Sequence, residues 1–238
     1  SSLAVAESLG TKLGIINGSI NITHTVAAGM DAAKLQAVID NITTVTGVVT
    51  YTHSGAATAV NFSKLSSAGE LDFSVEQAVS LPELTTVTNE FGVNNGDKIT
   101  SLSAPKLTVV GSFNGNDVLG LSKATSIDLT AMTSYVNSTL TINGNTLSSG
   151  WDLTMPNIQS KSPAGIVRAF TLTIGGVVNN VELDKMVYSG STITADDAKK
   201  IVLDNFQGTL TSGSATNHVN VELGSFKTAA GYAGGAKL

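Results

Sequence analysis

The chain reads as a mainly β solenoid with short helices and parallel strands, and three observations lead there. Eight phrases share the frame apolar-x-x-apolar: Phe62-Ser63-Lys64-Leu65, Leu81-Pro82-Glu83-Leu84, Ala104-Pro105-Lys106-Leu107, Leu129-Thr130-Ala131-Met132, Met155-Pro156-Asn157-Ile158, Leu183-Asp184-Lys185-Met186, Leu203-Asp204-Asn205-Phe206 and Leu223-Gly224-Ser225-Phe226. Their first residues lie 19, 23, 25, 26, 28, 20 and 20 positions apart, a period at which self-similarity signifies stacked repeats. Short alternating stretches follow the frames, most clearly Leu71-Asp72-Phe73, Phe91-Gly92-Val93, Leu140-Thr141-Ile142 and Leu172-Thr173-Ile174. Alternation sends the two apolar side chains to one face and the residue between them to the other. Composition completes the argument. Hydrophobic residues make up 42% of the 238, enough for a continuous core, while charged residues make up only 13%. The surface is therefore left to Ser, Thr, Asn and Gly. A single coil cannot bury its apolar face, and stacked coils can.

Taken in order, residues 1–44 form an N-terminal unit of strands and one helix. Ile15-Ile16-Asn17-Gly18-Ser19-Ile20-Asn21-Ile22 alternates as a strand does. Asp31 then stands as N-cap for a helix over 32–39, whose Leu35, Val38 and Ile39 share one face and are expected to cover the open end of the core. Residues 45–228 carry the solenoid, and 229–238 read as a flexible tail. Asn94, Asn116 and Asn143, beside Gly96, Gly115 and Gly144, follow alternating segments and read as turn residues. A second helix is expected at 194–201, because Thr194 and Asp197 approximate a capping box and acids precede lysines.

The phrases Leu81-Pro82-Glu83-Leu84-Thr85-Thr86-Val87, with Phe91-Gly92-Val93-Asn94 after it, and Ala104-Pro105-Lys106-Leu107-Thr108-Val109-Val110-Gly111 resemble the divergent leucine-rich repeats of bacterial cell-surface proteins, of the BspA-like and receptor-L-domain-like kind. The resemblance spans roughly residues 35–226. It implies a right-handed leucine-rich-repeat-like solenoid with a parallel β-sheet, exported from a bacterium or held on its surface, and used for adhesion or partner binding.

Several function classes lose ground on composition. The net charge is −5, with no Lys/Arg cluster to follow a phosphate backbone, so nucleic acid is not an expected partner. Cysteine is absent, which removes disulfides, thiolate metal sites and cysteine nucleophiles. No apolar run approaches the ~20 residues that span a bilayer, so no transmembrane segment is expected, and no basic n-region of an export signal is visible.

No catalytic set converges. His24, His53 and His218 lack metal-ligand neighbours at short spacing. Two of them, His24 and His53, sit between hydroxyl residues at positions expected to face outward. Glu70 and Asp72 flank Leu71 on one strand, about 7 Å apart by strand geometry, a separation that suits carboxylate-pair chemistry but that outward alternation also explains. Asp196-Asp197 reads as first-turn helix charge. Trp151 is the only tryptophan, either stacked on a sugar from a turn or packed over a coil edge. Tyr51, Tyr135, Tyr188 and Tyr232 share no repeat position. Asn17, Asn21, Asn41, Asn61 and Asn137 open N-x-Ser/Thr sequons, expected by chance in so Asn- and Thr-rich a chain.

Thr-x-Thr pairs recur at 23/25, 44/46, 50/52, 86/88, 139/141, 171/173, 192/194 and 209/211. Regular arrays of this kind on flat β-solenoids bind ice, yet the linear spacing of these pairs does not follow the repeat frame. They read as β-favouring residues on solvent faces, with Thr139, Thr141, Thr171 and Thr173 on the most regular sheet surface.

The expected function is thus non-catalytic binding or adhesion to a protein or glycan on another cell or matrix, by an extracellular or cell-surface protein without cofactor or metal. The alternatives are a polysaccharide-active parallel β-helix and a structural component that self-associates through its C-terminal edge, near 217–226.

Overall fold

The apolar frames are corners. In each of the first five, the fourth residue donates its backbone N–H to the carbonyl of the first: Leu65 to Phe62, Leu84 to Leu81, Leu107 to Ala104, Met132 to Leu129 and Ile158 to Met155. Proline at the second place suits this geometry, since its fixed φ matches the second residue of a tight turn. Both apolar ends of every one of these turns are buried. The computed structural model describes residues 14–25, 32–54, 61–94, 96–145, 150–161, 166–183, 190–195, 197–203, 208–212 and 220–223. The frames beginning at Leu183, Leu203 and Leu223, the proposed N-cap Asp31 and the tail at 229–238 lie wholly or largely outside the described residues.

Between corners the chain extends, and the extended pieces stack into three sheets. Sheet A holds β1 (Ile15–Ile16), β2 (Ile20–Thr25), β3 (Thr44–Ser54), β4 (Ser67–Ser74), β6 (Thr86–Asn94), β8 (Val109–Phe113), β11 (Ser134–Tyr135), β14 (Ser160–Lys161) and β15 (Val167–Arg168). Sheet B holds β5 (Val79–Ser80), β7 (Ser101–Ser103), β10 (Ser126–Asp128), β13 (Trp151–Thr154), β17 (Val178–Glu182), β19 (Lys200–Leu203) and β21 (Asn220–Leu223). Sheet C holds β9 (Val118–Gly120), β12 (Thr139–Asn143), β16 (Thr171–Gly175), β18 (Ser191–Ala195) and β20 (Gly208–Ser212). From β8 to β13 the chain visits A, C and B in turn, twice over. Pairing is parallel throughout, apart from the antiparallel β14–β15 contact.

The expected mainly β chain with parallel strands is therefore what forms. The coils build three sheets instead of the one sheet that the resemblance implied, and a leucine-rich-repeat solenoid is not what the strand order displays. The reason is local. Each coil in the middle of the chain has three short extended pieces, and each piece pairs with its own counterpart in the next coil.

One helix occurs among the described residues, α1 (Ala32–Ile39). Leu35, Val38 and Ile39 are buried, as their spacing predicts. The helix connects β2 to β3, which pair in parallel, and Gln36 ties it to the next coil by bonding both the N–H and the carbonyl of Asn61. The second expected helix does not form. Residues 194–201 instead close β18 and open β19, because Thr192, Ile193 and Thr194 pair with β16. The ladder supplies more partners than a cap would.

Two devices hold the coils in register. Ser66, Thr85, Thr108 and Thr133, the residues after the first four frames, and Thr43 ahead of them, each donate a side-chain hydroxyl to a main-chain carbonyl one coil back: Thr43 to Gly14, Ser66 to Thr43, Thr85 to Ser66, Thr108 to Thr85 and Thr133 to Thr108. Inside, Phe91, Phe113, Tyr135 and Phe170 form a continuous stack with ring centroids 5.8, 5.8 and 5.9 Å apart. Tyr51, Phe62 and Phe73 form a second cluster nearer the N-terminus. Such pairs add to the burial of each ring.

Candidate functional site

Apolar side chains fill the interior between the described strands, so among the described residues the outward sheet faces are the surfaces to compare, and the three differ. On sheet A, the long strands carry a bulge at equivalent places: the register shifts between Val45 and Val48, between Ala68 and Leu71, and between Val87 and Glu90. Gly69 occupies the bulge of β4, where a Cβ would collide with the carbonyl of Thr46 one coil back. Beyond the bulge, Glu70 and Asp72 face outward from β4 as expected, and Glu90 on β6 joins them. Asn94 donates to Asp72 Oδ1 at 2.5 Å. The Glu90 carboxylate lies over Gly115, within 3.3 Å of where a Cβ would stand. Partial burial raises the Glu90 carboxyl above its ordinary range, and the negative charges of Glu70 and then Asp72 add to the effect. Among the described residues no group of three His, Cys, Asp or Glu side chains is placed to hold a metal ion.

The sequence missed Glu90, since Glu70 and Asp72 lie 20 and 18 residues before it and only the pairing of β4 with β6 brings them side by side. It also missed Asn114, which adopts a positive φ of 47°. Asn114 accepts from the Val93 N–H and donates to the Val118 carbonyl, so it binds the β8–β9 turn to the preceding coil. Its neighbour Asp117 accepts from the Tyr135 hydroxyl at 2.5 Å and from Asn137 at 2.7 Å. Burial, then Asp117, hold the Tyr135 phenol protonated far above its ordinary range.

Several single residues move from their expected places. His53 is buried, at 1% exposure, with its ring 6.2 Å from that of Tyr51. It shares parity with Val49 and Tyr51, both buried, and strand parity overrides its polarity. The backbone of His24 pairs with that of His53; His218 lies outside the described residues, as do Tyr188, Tyr232 and Asp196. Trp151 is fully buried and packs on Gly144, which removes it as a sugar platform. Tyr135 does belong to an aromatic stack, whose other members are phenylalanines. Of the sequon asparagines, Asn17, Asn21 and Asn61 are exposed, while Asn41 and Asn137 are half-buried and donate to the Ala37 carbonyl and to Asp117.

Sheet C has a different face. Thr139 pairs with Thr171, Thr171 with Thr192 and Thr192 with Thr209. Thr141, Thr173, Thr194 and Thr211 pair in the same way. Four of the Thr-x-Thr pairs thus form a two-by-four grid, which corrects the inference from linear spacing. The residues between β12 and β16 and between β16 and β18 vary in length, but the pairing absorbs the variation. Leu140, Leu172 and Ile193 between the threonines are buried, so all eight threonines point outward and are exposed or half-buried. Among the described residues, none is hydrogen-bonded to any of these hydroxyls.

A 132-residue stretch is 30% identical to a fungal protein, Protein ecm33 of Aspergillus fumigatus, covering 48% of this chain and 32% of the relative. The chain thus spans about a third of the length of that relative. Ecm33 is a fungal cell-wall protein. This overturns the expected place among bacterial BspA-like proteins, and the bacterial origin has no support. The frame that carried that expectation records buried turn ends, which any lineage of stacked coils needs. No protein-family model matches the chain, and no solved structure does. No helix among the described residues is long and apolar enough to cross a membrane.

Proposed function

We propose that this chain is a non-catalytic protein of the cell surface or wall, which holds a protein or glycan partner on an outward sheet face. The observation that carries the reading is the likeness to a cell-wall protein over 132 residues. The architecture supports it: rigid, stacked coils present long polar faces, and repeat proteins use such extended faces for binding. The divergent repeat frame, with proline in its second place, fits a leucine-rich-repeat-like ancestry within the same reading. The test is an array of wall polysaccharides, glycans and extracellular-matrix proteins, scored for both retention of the protein and loss of spotted material. Saturable retention without loss is expected. Loss of substrate overturns it.

One observation favours a second reading, a polysaccharide-active β-helix: Glu70, Asp72 and Glu90 cluster on sheet A, and the Glu90 carboxyl holds its proton more tightly than usual, as a general acid does. Glu90→Gln decides between them. It abolishes substrate loss if Glu90 is an acid and leaves retention unchanged if the face only binds.

A further inference from the structure

We propose that the outward face of sheet C binds ice. The argument is one of matched periodicity. Neighbouring strands in a parallel ladder lie about 4.8 Å apart, and alternate residues along a strand about 6.6 Å apart. Eight threonines in register on β12, β16, β18 and β20 therefore repeat one hydroxyl and one methyl on a rectangular net. On the prism faces of hexagonal ice, water oxygens form a rectangular net with a short repeat close to the interstrand spacing and a long repeat close to the two-residue rise. A ligand that meets all eight positions at once must share this period, and a crystalline lattice of water does.

The chemistry of the face agrees. Each hydroxyl lacks a partner among the described residues and is open to donate to and accept from water, while the adjacent methyl group holds water in a cage without bonding to it. β-Branched side chains are stiff at χ1, so little rotamer entropy is lost on contact. The strands β9, β12, β16, β18 and β20 contain no Asp, Glu, Lys or Arg and no aromatic residue. Protein partners are usually gripped by aromatic and arginine side chains, and sugar rings by aromatic faces. Sheet C has neither, whereas charge is concentrated on the other two sheets, in Glu70, Asp72 and Glu90 of sheet A and Asp128, Asp152 and Glu182 of sheet B. A charged side chain orients its own hydration shell, which does not fit a water lattice. Its absence from this one sheet removes that mismatch. The inference does not depend on the partner reading above, because it rests on the register of the threonines and not on the likeness to Ecm33.

The experiment grows ice slowly on a cold surface in a solution of the purified full chain, and measures the protein in the ice and in the liquid. The same protein is mixed with insoluble chitin and cellulose. Wild type is expected in the ice fraction, and Thr173→Tyr/Thr192→Tyr, which raises two rings through the middle of the grid, is expected to fall to the level of a non-binding control protein. Thr88→Tyr, on the exposed surface of sheet A, is expected to stay with the ice. Circular dichroism and melting confirm that each variant is folded. A second variant, Thr173→Ser, removes only a methyl group and is expected to weaken retention partially. Exclusion of wild type from ice overturns the proposal, as does unchanged retention of the double variant. Retention on chitin or cellulose together with exclusion from ice overturns it in favour of a crystalline polysaccharide.

Discussion

Sheet A begins before sheet C and ends before it, the two share only the coils in the middle of the chain, and they treat their outward faces in opposite ways. The early strands of sheet A run 11, 8 and 9 residues and carry a bulge in each, so the register breaks midway and the face beyond it is acidic. The strands of sheet C from β12 onward run five residues each, without a shift in register, and their faces are neutral. A bulge adds local twist and re-aims side chains, which brings Glu90 beside Glu70 and Asp72. Straight pairing keeps identical side chains above one another. The difference teaches that regularity of the linear repeat and regularity of the surface are separate properties: the most evenly framed part of the sequence makes the less even face.

The two regions also differ in what fills the space behind them. Behind sheet A the rings of Phe91, Phe113 and Tyr135 stack, and behind sheet C the core is Leu140, Leu172, Ile174 and Ile193. Phe113 lies at the centre of the ring stack with both faces in contact. Phe113→Ala is expected to cost about 3–5 kcal/mol, the usual range for a buried ring replaced by methyl, read as a lower urea midpoint with an unchanged slope. A loss below about 1 kcal/mol would show that the stack is incidental to stability. The bulge is the next place to strike. Gly69→Ala sets a Cβ against the Thr46 carbonyl, which is main chain and cannot swing aside, so the coils must separate locally. A loss of about 1–3 kcal/mol is expected, the range for overpacking a close-packed site, with the grid on sheet C unaffected. If Gly69→Ala also lowered ice retention, the two sheets would be one cooperative unit.

Much of the fold was legible because the sequence records it redundantly. Every described frame gives a turn with both ends buried, and Leu35, Val38 and Ile39 face the core from α1 as their spacing requires. What escaped depends on register, which linear text does not hold. The second helix was misread since its caps are local signals, while the pairing of Thr192–Thr194 with Thr171–Thr173 is not local. His53 was misplaced because its polarity was weighed above its parity with Tyr51. The threonine grid was invisible for the same reason: intervals of 32, 21 and 17 residues between successive pairs look erratic until intervening segments are looped out. Thr139, Thr141, Thr171 and Thr173 were placed on a regular sheet by their alternation alone; that the rows continue through Thr192 and Thr209 is a fact of assembly.

The smallest expected effect sharpens the contrast in charge. Glu90 has a folded-state pKa raised above the ordinary 4.5, so the folded protein holds this proton at pH values where the unfolded chain has released it. Unfolding then releases a proton, and stability falls as pH rises through the window from the unfolded value to the raised folded value. Below that window the carboxyl is neutral in both states and the penalty is absent. Glu90→Gln removes the charge without changing the shape, and the variant is expected to melt slightly above wild type at neutral pH and level with it once the carboxyl is protonated. The gain is small because the group faces solvent, and it shrinks in added salt for the part that comes from Glu70 and Asp72. Melting curves from acidic to neutral pH, with and without salt, measure both. Should the variant melt lower than wild type at neutral pH, the Glu90 carboxylate would be contributing a favourable contact over Gly115 that outweighs its repulsion, and the acidic face would be a structural element of sheet A in its own right.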